Sequence, residues 1–134
     1  MVSGKYDLIG PPRSISNLRP WKFAVPAEET ELQRRLRELR QETQNFNQEW
    51  WTKHNTEFKD GREEFIKDIL STKYASEPDK TTLSADEMSI FYRDFMNKNW
   101  SSHLEYNKEW QRRNWNIIWL MFRVKVESLL KYKK

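Results

Sequence analysis

Proline is spread so unevenly along this chain that it divides the fold before any other residue is considered. Four of the five prolines, Pro11, Pro12, Pro20 and Pro26, fall in residues 1–27, and the fifth is Pro78. Proline fixes φ, has no amide hydrogen and pushes its predecessor towards extended backbone. Residues 1–27 therefore read as an extended, proline-rich arm, and residues 28–134 as a helical domain. The arm carries Leu8, Ile9, Ile15, Leu18, Trp21, Phe23 and Val25, too much apolar surface for a plain linker. It reads as a strap that lies either in a groove of its own helical body or on a partner.

From Glu28 the texture changes to glutamate, arginine, glutamine and leucine, all good helix formers. Leu32, Leu36, Leu39, Thr43, Phe46 and Trp50 follow steps of three and four, which predicts one apolar face on a helix running to about Thr56. Phe58, Phe65, Ile66, Ile69 and Leu70 give a second, shorter amphipathic segment from about Asp60 to Lys73, either separated from the first helix by a turn around Asn55 to Gly61 or continuous with it. Ser76-Glu77-Pro78-Asp79-Lys80 predicts a loop. Ser84-Ala85-Asp86-Glu87 then has the spacing of a capping box, which starts another helix with Met88, Phe91, Tyr92 and Phe95 on its apolar face. A polar stretch from Asn97 to Ser102 is either a break or a turn of the same helix. Leu104, Tyr106, Trp110, Trp115, Ile118, Trp119, Phe122, Val126 and Leu129 continue to the end. The fold class expected is all-α, with three to four helices as a hairpin or bundle preceded by the arm.

Composition narrows the function classes. The chain has 134 residues and no cysteine, so it can build no disulfide, zinc-thiolate or iron–sulfur site. Seven tryptophans, seven phenylalanines and five tyrosines predict an aromatic core with leucine in the minor role. The net charge of +4 comes from 24 basic residues interspersed with 20 acidic ones, not from the basic stripe that nucleic acid would require. Arg123, Lys125, Lys131, Lys133 and Lys134 nevertheless cluster at the end, where they suit either a frayed helix terminus or an anionic surface. The first residues lack the pattern of a presequence. No apolar run reaches the roughly 20 residues of a membrane span.

Nothing in the chain resembles a catalytic constellation, so no enzymatic activity is expected. The two histidines, His54 and His103, lie far apart in sequence and outside any metal-binding spacing. His103 lies among Trp100, Tyr106 and Trp110, which makes it either a packing residue or a ligand for haem iron. No other cofactor is implied. Trp50 and Trp51 point about 100° apart on a helix, so one of them falls off the core stripe; the expectation is that Trp51 faces a partner and that Trp119, with apolar neighbours on both sides, is core. The segment Trp115 to Phe122 is apolar nearly all round, as a central core helix or an interface would be.

Asp7-Leu8-Ile9-Gly10-Pro11-Pro12 and Ser16-Asn17-Leu18-Arg19-Pro20 resemble the start of the mature domain of the mitochondrial cytochrome c oxidase assembly factors, also called apoptogenic proteins. Leu36-Arg37-Glu38-Leu39-Arg40-Gln41-Glu42-Thr43-Gln44, Glu64-Phe65-Ile66, Glu87-Met88, Phe91-Tyr92, Tyr106-Asn107 and Arg113-Asn114 extend the resemblance in the same order. It implies residence on the matrix side of the mitochondrial inner membrane as a peripheral protein, and assembly or protection of cytochrome c oxidase through a subunit or intermediate. An older association with apoptosis comes with the name. The partner-binding residues expected on this basis are Pro11, Pro12, Leu18, Arg19 and Trp21 of the arm, with Trp51, Trp110 and Trp115 of the helices.

Overall fold

Thr30-Glu31-Leu32-Gln33 closes a capping box that opens the first helix. The Thr30 hydroxyl accepts from the Gln33 amide at 3.2 Å, and the Gln33 side chain accepts from the Thr30 amide at 2.9 Å. In the computed structural model, which describes residues 4–133, this helix, α1, runs unbroken over Glu31–Thr72. A loop follows, and α2 runs over Ala85–Tyr132 from the Ser84 capping box read in the sequence. The two pack antiparallel as one long hairpin. Among the described residues the helix count is thus two, not the three to four expected.

Neither stretch that admitted a break, Asn55 to Gly61 or Asn97 to Ser102, interrupts its helix, and the reason is the same. Gly61 costs a helix about 1 kcal/mol relative to alanine, but the ring of Phe91 covers it closely enough that a Cβ would stand 3.4 Å from Phe91 Cε2. Asn97 to Ser102 are weak helix formers by fractions of a kcal/mol each. Phe95 and His103 on either side pack against His54 of α1, and Asn99 turns its amide back to the Phe95 carbonyl at 2.9 Å. Tertiary packing outweighs local propensity at both places.

The interior of the hairpin is an aromatic ladder. Phe65 and Phe58 each lie 5.6 Å from Phe91, Phe58 lies 5.1 Å from Phe95, and Trp50 stacks on Tyr106 at 4.2 Å. Only Met88, Phe91, Tyr106 and Leu120 are buried apolar residues among those described. At the closed end, the Glu87 carboxylate accepts from the Ser84 amide and the Tyr74 hydroxyl, and Lys73 lies 3.5 Å away. The Ser84 amide above all lowers the Glu87 pKa to about 2. Because this pKa is depressed, the contact stabilises fully above the ordinary 4.5 and is lost as pH falls towards 2.

Before α1 the described residues form one short strand pairing joined by turns. Leu8–Ile9 (β1) pairs antiparallel with Trp21–Lys22 (β2) in the register Leu8↔Lys22 and Ile9↔Trp21. Gly10 sits where any side chain would collide: a Cβ there would be 2.9 Å from Pro20 Cγ. Between the strands, the Arg13 amide donates to the Leu18 carbonyl at 3.0 Å, and Asn17 takes the left-handed conformation, φ 61°, which asparagine tolerates.

Two-helix packing leaves much of each helix in water. The accessible surface is 10734 Å², against about 7,500 Å² for a compact monomer of this mass. Phe91→Ala should therefore destabilise by about 3–5 kcal/mol, as loss of a core aromatic does. Trp119→Ala, at a residue 60% exposed, should stay within about 1 kcal/mol. Urea denaturation of the two variants checks the difference.

Candidate functional site

Three features of the hairpin stand out from its framework: a histidine–aromatic cluster at mid-length, an outward apolar stripe on α2, and the arm.

The cluster centres on Tyr106. Its hydroxyl donates to Asn47 Oδ1 at 2.9 Å and accepts from the indole N–H of Trp51 at 3.0 Å. Phe46 and Trp50 stack on its ring. Burial pushes the phenol pKa up, and the Trp51 hydrogen bond partly opposes that shift. One helical turn away, His103 lies 5.1 Å from Trp50 and 5.6 Å from His54, ring centre to ring centre. His54 stacks nearly parallel on Trp50 at 4.8 Å. Burial, reinforced by repulsion from His103, holds the His54 imidazole below its ordinary pKa. Sequence distance had kept the two histidines apart; the hairpin brings them together. Knowing that α1 and α2 are unbroken would have revealed this pairing, since Phe58 opposite Phe95 sets the register.

The two tryptophans picked out by position differ from expectation in burial, Trp119 not being core. Trp51 is half-buried, with its N–H bonded to Tyr106, while Trp119 is exposed. The cause is the register of α2. Leu120 is buried and Arg113, Ile117 and Val124 are half-buried, so these residues form the side turned to α1. At 100° per residue, Trp115, Ile118, Trp119, Phe122, Leu129 and Leu130 fall within an arc of about 120° on the opposite side. All six are exposed, Trp115 at 67%. Trp110 is on the edge of exposure at 36%. Lys108, Arg112, Arg123 and Lys125 flank the stripe, and between residues 108 and 133 the acids are Glu109 and Glu127. Glu109 is engaged by Arg112 at 2.6 Å and Arg113 at 3.0 Å, which lowers its pKa to about 2.

The arm lies on α1, where a polar row receives it. Arg40, Gln44, Gln48 and Asn55 share one side of the helix, about a quarter turn from the α2-facing residues. Gln44 grips the Trp21 peptide at both ends, accepting from its amide and donating to its carbonyl at 3.0 Å. The buried Ser16 hydroxyl donates to Gln48 Oε1 at 2.7 Å, and Asn55 donates to the Ile15 carbonyl at 2.9 Å. Asp7 accepts from the Ala24 amide at 2.8 Å and faces Arg40 at 3.3 Å, whose guanidinium covers the Phe23 ring. Of the arm residues singled out in sequence, Pro11, Pro12, Arg19 and Trp21 are exposed and Leu18 is half-buried.

No helix among the described residues is long and apolar enough to cross a membrane. Residues 6–130 match the family model for cytochrome c oxidase assembly factor 8. The chain is 46% identical over 136 residues to the Mus musculus cytochrome c oxidase assembly factor 8, which covers 96% of this chain and 71% of that protein. It is 43% identical over 128 residues to the Homo sapiens protein of the same name, covering 92% of this chain and 62% of that one. A Drosophila melanogaster protein named as a mitochondrial COA8 family protein is 41% identical over 130 residues, covering 97% and 70%. No solved structure matches the chain.

The residues that first suggested the resemblance serve the framework: Gly10, Ser16, Asn17 and Gln44 fix the arm, Glu87 closes the loop and Tyr106 fills the core. A chain carrying both Gln44→Ala and Gln48→Ala should keep its helical circular dichroism but release the arm. Loss of these hydrogen bonds removes about 1–3 kcal/mol, so trypsin should cut at Arg13 or Lys22 roughly ten- to a hundredfold faster. Unchanged cleavage would mean that other contacts hold the arm.

Proposed function

This chain belongs to the cytochrome c oxidase assembly factor 8 family, and on that premise we propose that it works without catalysis, by holding a subunit or assembly intermediate of the oxidase. Its proposed place is the matrix side of the mitochondrial inner membrane, as a peripheral protein; the mitochondrial name of the Drosophila relative supports the organelle alone.

One observation carries the binding reading: α2 is apolar on two opposite sides, and among the described residues the outward one, from Trp115 to Leu130, stays largely exposed. An outward row with two tryptophans, Trp115 and Trp119, and with Phe122 is expensive to leave in water. Full burial of such a side chain is worth about 1.5–3 kcal/mol, and tryptophan is enriched among residues that dominate interfaces. The exposed Leu8, Ile9, Ile15 and Trp21 of the arm offer a second apolar contact on a firmly held support. Binding rather than chemistry suits this distribution, because the exposed groups are apolar and the strongly perturbed carboxylates, Glu87 and Glu109, are taken up in caps and ion pairs.

Trp115→Ala combined with Trp119→Ala should leave the melting temperature within a few degrees of the parent and reduce capture of oxidase assembly intermediates from mitochondrial extracts by tenfold or more. Capture at the parental level would remove the stripe from the binding surface.

Peripheral attachment has its own expectation. The cations at the end of α2 each contribute about 1 kcal/mol near an anionic surface and are screened by salt. Flotation with cardiolipin-containing vesicles should therefore succeed at low salt and fail at high salt. Flotation that resists salt would indicate that the stripe itself inserts.

A further inference from the structure

Along the outward side of α2, Trp115, Trp119, Phe122, Val126 and Leu129 follow one another at steps of four, three, four and three, and all five are exposed. That is the spacing of a coiled-coil seam, the narrow apolar row that one helix turns to another. In the central heptad the positions flanking the row hold Arg123 on one side and Lys125 on the other, both exposed. From this seam and its cationic flanks we infer that α2 seats an acidic amphipathic helix of the partner, packed along residues 115–129 with its carboxylates on Arg123 and Lys125.

The surface is shaped for a rod. At 1.5 Å per residue the row spans about 21 Å, so a partner helix of roughly four turns covers it. Beside it, Leu32 near the start of α1 joins Phe122, Val126 and Leu130 in lining an open apolar groove of about 440 Å³, rimmed by Arg123, Lys131 and Glu127. A helix laid along the seam can lower side chains into that groove, as ridges enter grooves in helix packing. The alternation of four and three also matches a partner with a helical period; a bilayer surface has none.

Charge selects among helices. Across residues 115–132 the cations are Arg123, Lys125 and Lys131, and the one carboxylate is Glu127. Charges flanking a seam set partner choice, and like charges brought together weaken an association. A second copy of this chain would bring the same three cations to the seam with Glu127 alone to offset them, so self-pairing is disfavoured. An acidic helix instead answers Arg123 and Lys125 while it buries Trp115 and Trp119, the residue type enriched among those that dominate interfaces.

The acidic helix rests on the reading of this row as the oxidase-binding surface and adds the chemistry of what binds there. The full chain is labelled with 5-fluorotryptophan, which gives each of its seven tryptophans a fluorine NMR signal; Trp115→Phe and Trp119→Phe assign the two on the seam. Two synthetic peptides of about three heptads serve as probes, with the same leucine seam and with either glutamate or lysine at every flanking position. The acidic peptide should shift the Trp115 and Trp119 signals and bind roughly tenfold or more tightly than the basic one. Arg123→Glu combined with Lys125→Glu should reverse that preference with the thermal melt unchanged, because both side chains are exposed. Equal binding by the two peptides, or binding that leaves the Trp115 and Trp119 signals unmoved, would overturn the acidic helix. So would cardiolipin-containing vesicles that move both signals where the acidic peptide does not, which gives the row to the membrane. Sedimentation as a dimer that the acidic peptide fails to dissociate would give it to a second copy. If Trp115→Ala with Trp119→Ala abolishes oxidase capture and neither peptide binds, the oxidase reading stands and the acidic helix falls. If the acidic peptide binds with the expected preference while that double change leaves capture intact, the seam stands and its assignment to the oxidase falls.

Discussion

Two helices of more than forty residues have one face each with which to hold one another, and here those faces meet most firmly at Tyr106. Its ring is held between Phe46 and Trp50, and its hydroxyl joins two partners on α1, Asn47 and Trp51. A buried hydroxyl without partners would cost about 1–3 kcal/mol; satisfied on both sides, it fixes the register of the hairpin. From that register follow the seating of Phe91 over Gly61, the approach of His54 to His103, and the direction in which every residue of the C-terminal half of α2 points.

The same register leaves the hairpin one layer thick. Among the described residues no third helix covers the outward side of α2, and the arm lies on the polar row of α1. The arm is tied by hydrogen bonds to Gln44, Gln48 and Asn55 and adds little apolar burial, since Leu8, Ile9, Ile15 and Trp21 remain exposed. The polar contacts thus hold the arm in place while leaving its apolar side chains available. A chain with more surface than its mass requires, and with that surplus concentrated in one aromatic stripe, is suited to completing its packing on another molecule.

Much of this was legible in the sequence, and the misreadings have physical causes. Proline placement located the loop at Pro78, and the Ser84 box marked the start of α2, because backbone constraints and caps are local. Thr30 to Gln33 carried an equally good capping signal that would have set the start of α1 at Glu31. The choice between break and continuous helix near Gly61 and Asn97 stayed open in the sequence because packing by Phe91, Phe95 and His103, which overrides weak local propensities, is long-range. Trp119 lies outside the core, against expectation, because periodicity gives the apolar sides of a helix without saying which of two opposite sides meets the neighbour. That choice depends on long-range pairing, as does the meeting of the two histidines.

The central claim is that α2 turns one apolar side to α1 and offers the opposite one to an oxidase intermediate. It is tested most directly by placing a photo-crosslinking side chain at position 122 on the outward side, or at position 117 on the side facing α1, and irradiating intact mitochondria. The account predicts crosslinks to oxidase subunits from position 122 and crosslinks confined to the chain itself from position 117. Oxidase crosslinks from position 117 with none from position 122 would contradict it.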